Sequence, residues 1–72
     1  MTANVTAADI GSNIRAEMGR ARVSMSELAR RTGISRTTLI HQIDVSRVTA
    51  DNLILIAKAL NVPAVDLLGG DA

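Results

Sequence analysis

The sequence predicts a single all-α domain built from five helices, and three observations support this expectation. Apolar residues recur every three or four positions, and no stretch alternates with the period of two that a half-buried strand requires. Ser, Thr, Gly and Asn residues stand where such helices would begin and end. A length of 72 residues leaves room for one domain, so we expect residues 1–72 to form one unit with its core over residues 7–68.

The composition argues against several kinds of site. Cys, Phe, Trp and Tyr are absent, which excludes disulfides, thiolate metal ligands and an aromatic platform for single-stranded nucleic acid. No apolar stretch approaches the ~20 residues of a membrane span, and no signal peptide is visible. One His and scattered Ser and Thr, without a Gly-rich phosphate loop, do not favour an enzyme. We expect no cofactor, metal or small-molecule ligand, and a cytoplasmic location.

Positive charge is concentrated in one segment, although the net charge of the chain is only +1. Residues 20–36 carry five arginines and one glutamate, a local net charge of +4, and the flanking parts of the chain are net negative. Nearly all basic residues are Arg, which favours bidentate contacts with phosphate or guanine. The segment therefore indicates either a surface that binds a polyanion or a solvated arginine-rich face.

The first helix is expected from about Ala7 to Ala21. Thr6 and Asp9 have the spacing of a capping box at its start. An apolar stripe repeats every four residues along this helix and consists of Ile10, Ile14 and Met18.

The second helix is expected from Met25 to Thr32. Ser24 is its predicted N-cap, and Glu27 completes a capping box with it. Gly33 supplies the left-handed residue that ends this helix and turns the chain.

The third helix is expected from Arg36 to Asp44, with Ser35 as its N-cap. Leu39 and Ile43 lie four residues apart and predict the buried face of this helix. The next four residues read as a loop that carries Arg47.

The fourth helix is expected after its N-cap Thr49 and up to Leu60, with Asn61 in the C′ position. A short last helix follows, with Pro63 in its first turn and with Val65, Leu67 and Leu68 as its anchors. The predicted core of the domain comprises Ile10, Ile14, Leu28, Ala29, Ile34, Leu39, Ile43, Leu53, Ile56, Ala57 and Leu60.

The most informative stretch is residues 24–44, where two short capped helices are joined by the turn Gly33-Ile34-Ser35. This stretch and a second block downstream resemble, in order and in spacing, the lambda-repressor-like helix-turn-helix family of phage repressor and Cro-type regulators. The resemblance covers about residues 7–68. The matching residues are Leu28-Ala29, Thr32-Gly33-Ile34-Ser35, Arg36-Thr37-Thr38-Leu39, Thr49, Leu53, Ile56, Ala57, Ala59, Leu60, Asn61, Val62, Pro63, Leu67 and Leu68.

The resemblance implies a five-helix fold with a central helix-turn-helix and sequence-specific binding of double-stranded DNA by a phage or prophage-type transcriptional repressor. The helix that starts at Arg36 would read the major groove. Two positions depart from the family pattern. Met25 replaces a Gln that holds the DNA backbone in many members, and Asp44-Val45 replaces a glycine that commonly follows the third helix.

The resemblance assigns the main base-reading positions to Arg36, Thr37 and His41, which we expect opposite the buried face of the third helix, with Thr38 and Ile40 beside them. Arg36 can donate two hydrogen bonds to guanine O6 and N7, and Thr37 can contact a base edge or a thymine methyl group. His41 can bond a purine edge or be an idle surface histidine. Ile40 can touch a methyl group or be partly buried against the fourth helix.

Contacts with the DNA backbone are expected at the ends of the second and third helices, where unpaired amides and the positive dipole ends attract phosphate. Arg47 in the following loop is a natural phosphate clamp. Arg31 either contacts the DNA backbone or is simply solvated. The predicted set of backbone contacts is Ser24, Met25, Ser35, Gln42, Arg47 and Arg31.

Two further expectations concern partners. One short helix reads only a few base pairs, and helix-turn-helix proteins usually add a second copy that binds a second half-site. We therefore expect a weak or DNA-induced homodimer through Val62, Val65 and Leu68. The rival hypothesis is a helical module that binds a partner protein instead of DNA, and the low net charge favours it slightly.

Overall fold

The computed structural model describes residues 2–68 and the side chains of residues 10–68. Within these residues the chain contains five helices and no strand, so the predicted all-α fold is confirmed. None of the described helices is both long enough and apolar enough to cross a membrane. The helices are α1 (Thr2–Ala21), α2 (Met25–Thr32), α3 (Arg36–Asp44), α4 (Ala50–Leu60) and α5 (Ala64–Leu67).

The first helix begins earlier than the sequence predicts. Because α1 starts at Thr2, Thr6 lies inside the helix, and the prediction that Thr6 is its N-cap is wrong. The segment before Thr6 contains no Gly or Pro, so nothing in it interrupts the helical hydrogen bonds. The side chains of Thr6 and Asp9 lie outside the described ones.

The starts of α2, α3 and α4 are fixed by the three predicted N-caps. The side-chain oxygens of Ser24, Ser35 and Thr49 each accept a hydrogen bond from the backbone amide three residues later, at 3.1, 3.1 and 3.2 Å. Only half of the predicted capping box forms, because the carboxylate of Glu27 accepts hydrogen bonds from Arg30 and Arg31 instead. The charged guanidinium groups are stronger partners for a carboxylate than a neutral amide is.

Left-handed residues follow four of the helices, and one of them is Ser46 in the turn after α3, with a φ of 53°. Gly33 and Asn61 take this conformation after α2 and α4, as predicted. Arg22 takes it after α1, with a φ of 57°. The turn at Arg22 brings the Val23 amide to 2.9 Å from the Met18 carbonyl oxygen, and both side chains are buried, which is the hydrogen bond and apolar contact of a Schellman motif.

The last helix is a single turn and differs in two respects from the prediction. Pro63 is its N-cap, with extended backbone, and does not lie in the first turn. Leu67 is fully buried, as predicted, but Val65 and Leu68 are 53% and 37% exposed and do not anchor the helix. One helical turn presents only about a third of its residues to a core, so one anchor is what α5 can supply.

The predicted core is largely confirmed. Nine of its members are buried, whereas Ala29 and Ile34 are partly buried and pack against the others. Val23 is a core residue that periodicity did not reveal, since it lies in the connection between α1 and α2 and only the turn at Arg22 folds it inward. The buried residues are Ile10, Ile14, Met18, Val23, Leu28, Leu39, Ile43, Leu53, Ile56, Ala57, Leu60 and Leu67.

The third helix is supported from one side only. It packs against α1 and α2, and Leu39 and Ile43 bury its inner face as predicted. Its link to α4 is a hydrogen bond of 3.2 Å from the side-chain nitrogen of Asn52 to the side-chain oxygen of Gln42. This arrangement leaves the opposite face of α3 in solvent.

The contact between α1 and the end of α3 depends on a glycine. A Cβ atom at Gly11 would lie 2.2 Å from the Ile43 carbonyl oxygen and 2.8 Å from the Ser46 hydroxyl oxygen. The Gly11 amide also donates a hydrogen bond of 3.2 Å to that hydroxyl. At Gly19, in the same helix, a Cβ atom would meet nothing within 4 Å.

We predict opposite effects of the same substitution at these two glycines. Gly11→Ala should lower the free energy of unfolding by about 1–3 kcal/mol, because backbone cannot yield as a flexible side chain can. Gly19→Ala should raise it by about 0.5–1 kcal/mol through helix propensity alone. Urea denaturation of both variants measures this difference, and equal stability of the two would contradict the close contact.

Candidate nucleic-acid interface

The candidate reading surface lies on the exposed side of α3. Thr37 and His41 are one turn apart and exposed, while Leu39 and Ile43 are buried beneath them. Arg36 is also exposed, although its spacing from the two buried residues places it nearer their side of the helix than the opposite one. It is the first residue of α3, and its side chain leaves the domain at the end of the helix.

The two flanking candidates have different surroundings. Thr38 is exposed, and its hydroxyl accepts a hydrogen bond of 2.8 Å from the Ser35 hydroxyl. Ile40 is half-buried, but it is not one of the partly buried apolar residues that pack against the core, and α3 packs against α1 and α2 rather than α4. Packing against the fourth helix is therefore not supported, and part of the Ile40 surface is open. In the part of the chain that the structure describes, the side chains of Arg36, Thr37 and His41 have no hydrogen-bond or ion-pair partner.

The predicted backbone contacts fall into two groups. Ser24 and Ser35 cap their helices, and Arg47 is exposed in the turn after α3, so these residues remain accessible to phosphate. Met25 packs against the core, which leaves its backbone amide as its available donor. Gln42 is half-buried and accepts the hydrogen bond from α4, so only its amide nitrogen remains for a ligand.

Arg31 has a structural role that the sequence did not indicate. Its Nε donates to the Glu27 carboxylate at 2.9 Å, and its Nη1 donates to the Ala59 carbonyl oxygen at 3.1 Å. The second bond satisfies one of the last carbonyl groups of α4 and ties α2 to that helix end. Arg30 pairs with the same carboxylate, and these two hydrogen-bonded arginines, Arg30 first, lower the pKa of Glu27 to about 2.

Ion pairs reduce the charge available to a polyanion. Within the described residues four arginines pair with a carboxylate, namely Arg15, Arg20, Arg30 and Arg31. Three others form no ion pair there: Arg22, Arg36 and Arg47. The Glu-to-Arg spacings of three and four residues were visible in the sequence and could have predicted the helical pairs.

Arg22 is a further candidate for a backbone contact, and the set predicted from the sequence did not include it. It is exposed and lies two residues before the N-cap of α2, the helix end at which a phosphate contact was predicted. Its left-handed backbone suits glycine far better than arginine. Its place in the basic segment of residues 20–36 was a signal visible in the sequence, whereas its left-handed backbone was not.

The chain matches the sequence profile of one family over most of its length. The profile describes the Cro/C1-type HTH DNA-binding domain and matches residues 13–70. Searches of curated proteins and of solved structures found no significant match. The profile spans α2 to α5 and the second half of α1 from residue 13, so the match includes every element that forms the candidate interface.

The pairing of Glu27 with two arginines predicts a pH-dependent contribution to stability. A pKa of about 2, below the ordinary 4.5, means that the contribution is fully present above pH 4.5 and is lost as the pH falls toward 2. Glu27→Gln should therefore be less stable than the unmodified protein at neutral pH, and the difference should vanish near pH 2. Thermal unfolding of both proteins across this range measures it, and a pH-independent difference would refute the assignment.

Proposed function

The chain belongs to the Cro/C1-type helix-turn-helix family of DNA-binding domains, and from this premise we propose that it is a phage or prophage-type transcriptional repressor that reads the major groove with α3. The proposal rests on the burial of one side of α3 and the exposure of the other. One side of the helix is fixed in the core by Leu39 and Ile43, and the other side is exposed. The major groove of B-DNA, about 12 Å wide, admits one α-helix.

Base recognition would come from the first half of α3. Arg36 projects from the start of the helix, where recognition helices contact base edges, and its guanidinium fits guanine O6 and N7. Thr37 and His41 follow on the exposed face, and Thr38 and Ile40 lie beside them. The absence of intramolecular partners for the first three, within the described residues, supports this role, because binding then breaks no existing hydrogen bond.

Backbone recognition would come from the surrounding helix ends and from Arg47. Ser24 and Ser35 hold the starts of α2 and α3 in place, and the amide of Met25 and the amide nitrogen of Gln42 are further donors. Arg22 joins this group because it is exposed and unpaired among the described residues. We leave Arg31 out, since its guanidinium already bonds the Glu27 carboxylate and the Ala59 carbonyl.

The rival function is a helical module that binds a protein. No contact of the described residues favours it over DNA, and the two functions differ in their dependence on salt. Binding to duplex DNA weakens steeply as salt rises because phosphate contacts release counterions, whereas an apolar protein interface is much less sensitive.

Substitution of two unpaired arginines separates base reading from backbone binding. Arg36→Ala should weaken the binding free energy for the preferred site by about 1–3 kcal/mol and relax discrimination at one base-pair position. Arg47→Ala should weaken binding to all duplexes by a similar factor and reduce the salt slope by about one unit. The measurement is selection of bound sites from random duplexes, followed by titration at several salt concentrations. Uniform loss by both variants would refute the reading role of Arg36.

We also propose that two copies pair on DNA through the surface around α5. Val65 and Leu68 are exposed there, and Val62 is partly buried beside them. This apolar surface is small, so the protein in solution should be largely monomeric at micromolar concentration, and two copies should bind a palindromic site. Sedimentation of the free protein and of its DNA complex tests this, with Val65→Ser expected to abolish pairing on DNA. A stable free dimer, or a complex with one copy on every selected site, would contradict it.

A further inference from the structure

The exposed face of α3 ends in an acidic residue. Asp44 lies three positions after His41 and seven after Thr37, so the three side chains form one row along the helix. All three are exposed. The proposed DNA-binding surface therefore carries a negative charge, and that charge stands at a helix C-terminus, where the dipole disfavours it.

A basic residue from another helix covers this charge. Arg15 of α1 donates a hydrogen bond from its Nη2 to the Asp44 carboxylate, and both side chains remain about half-exposed. Arg15 lies one turn after Gly11, whose close contact with the Ile43 carbonyl oxygen fixes α1 against this end of α3. The backbone contact therefore positions Arg15 beside Asp44.

Stability does not explain the pair. Exposed ion pairs contribute about 0–1 kcal/mol, and the contacts of Gly11 and Ile43 already join the two helices. The pair also bears on an approaching polyanion. It places one carboxylate on the reading face, and it occupies an arginine that could otherwise bind phosphate.

We propose that Asp44 limits the affinity of this domain for the DNA backbone by repelling phosphate and by occupying the Arg15 guanidinium, which could otherwise bind phosphate. The inference rests on the proposed function. In helix-turn-helix complexes the N-terminal residues of the reading helix contact bases, so Asp44, at the other end of α3, faces the sugar-phosphate backbone. Stable binding then depends on base contacts by Arg36, Thr37 and His41, and electrostatic attraction alone holds the domain weakly.

The test compares two substitutions that each remove one negative charge and release one arginine. Asp44→Asn frees Arg15 on the α3 side, whereas Glu17→Gln frees Arg20, and Glu17 lies about 200° around α1 from Arg15. Binding to a short duplex of random sequence is measured by titration over a range of salt concentrations, and circular dichroism checks the fold of each variant.

We expect Asp44→Asn to raise the affinity for random duplex by about threefold to tenfold at low salt and to steepen the salt slope by about one unit, as one more phosphate is neutralised. Glu17→Gln should change the affinity by less than twofold. Adding Arg15→Gln to Asp44→Asn should return the slope to that of the unmodified protein, since the released cation is then absent.

Three results would overturn the inference, and the last also removes its premise. If Asp44→Asn changes the affinity no more than Glu17→Gln does, Asp44 does not face DNA. If it weakens binding, Asp44 supports a favourable contact and limits nothing. If neither the unmodified protein nor any variant binds duplex DNA at low salt, the proposed function fails together with the inference.

Discussion

The position of α3 depends on the burial of two side chains, Leu39 and Ile43. A helix of nine residues is not stable alone in water, where isolated helices shorter than about 12–15 residues are marginal. Both side chains are almost completely buried in the core shared with α1 and α2. Burial of one face of a helix leaves the other face exposed, so the same interaction that stabilises α3 also presents Thr37 and His41 to solvent.

The short distance between α1 and the end of α3 sets the finer geometry of this surface. Gly11 leaves no space for a side chain beside the Ile43 carbonyl oxygen, and its amide bonds the Ser46 hydroxyl. A contact between two backbones allows less adjustment than a contact between flexible side chains. The helix that carries the candidate reading residues is thus held near both of its ends, by the Ser35 cap at its start and by α1 at its finish.

Pairing between side chains determines the charge of the surface more than composition does. The basic segment of the sequence carries five arginines, but three of them bind carboxylates on their own helices. Arg22 and Arg36 remain unpaired in the described part of that segment, at the connection before α2 and at the start of α3. The unpaired positive charge in that segment is therefore sparse.

The sequence by itself determined α2, α3 and α4, their caps and most of the core, because caps and apolar periodicity act between residues only a few positions apart. It also identified Arg36, Thr37 and His41 as candidate reading residues by family resemblance. It misplaced the start of α1 and the anchors of α5, where no strong local signal marks a boundary. Only the tertiary structure decided three contacts: Gly11 with Ser46, Arg15 with Asp44, and Arg31 with the Ala59 carbonyl, which join residues 35, 29 and 28 positions apart. Such contacts depend on which helix surfaces meet when the core closes, and no local pattern of residues specifies that.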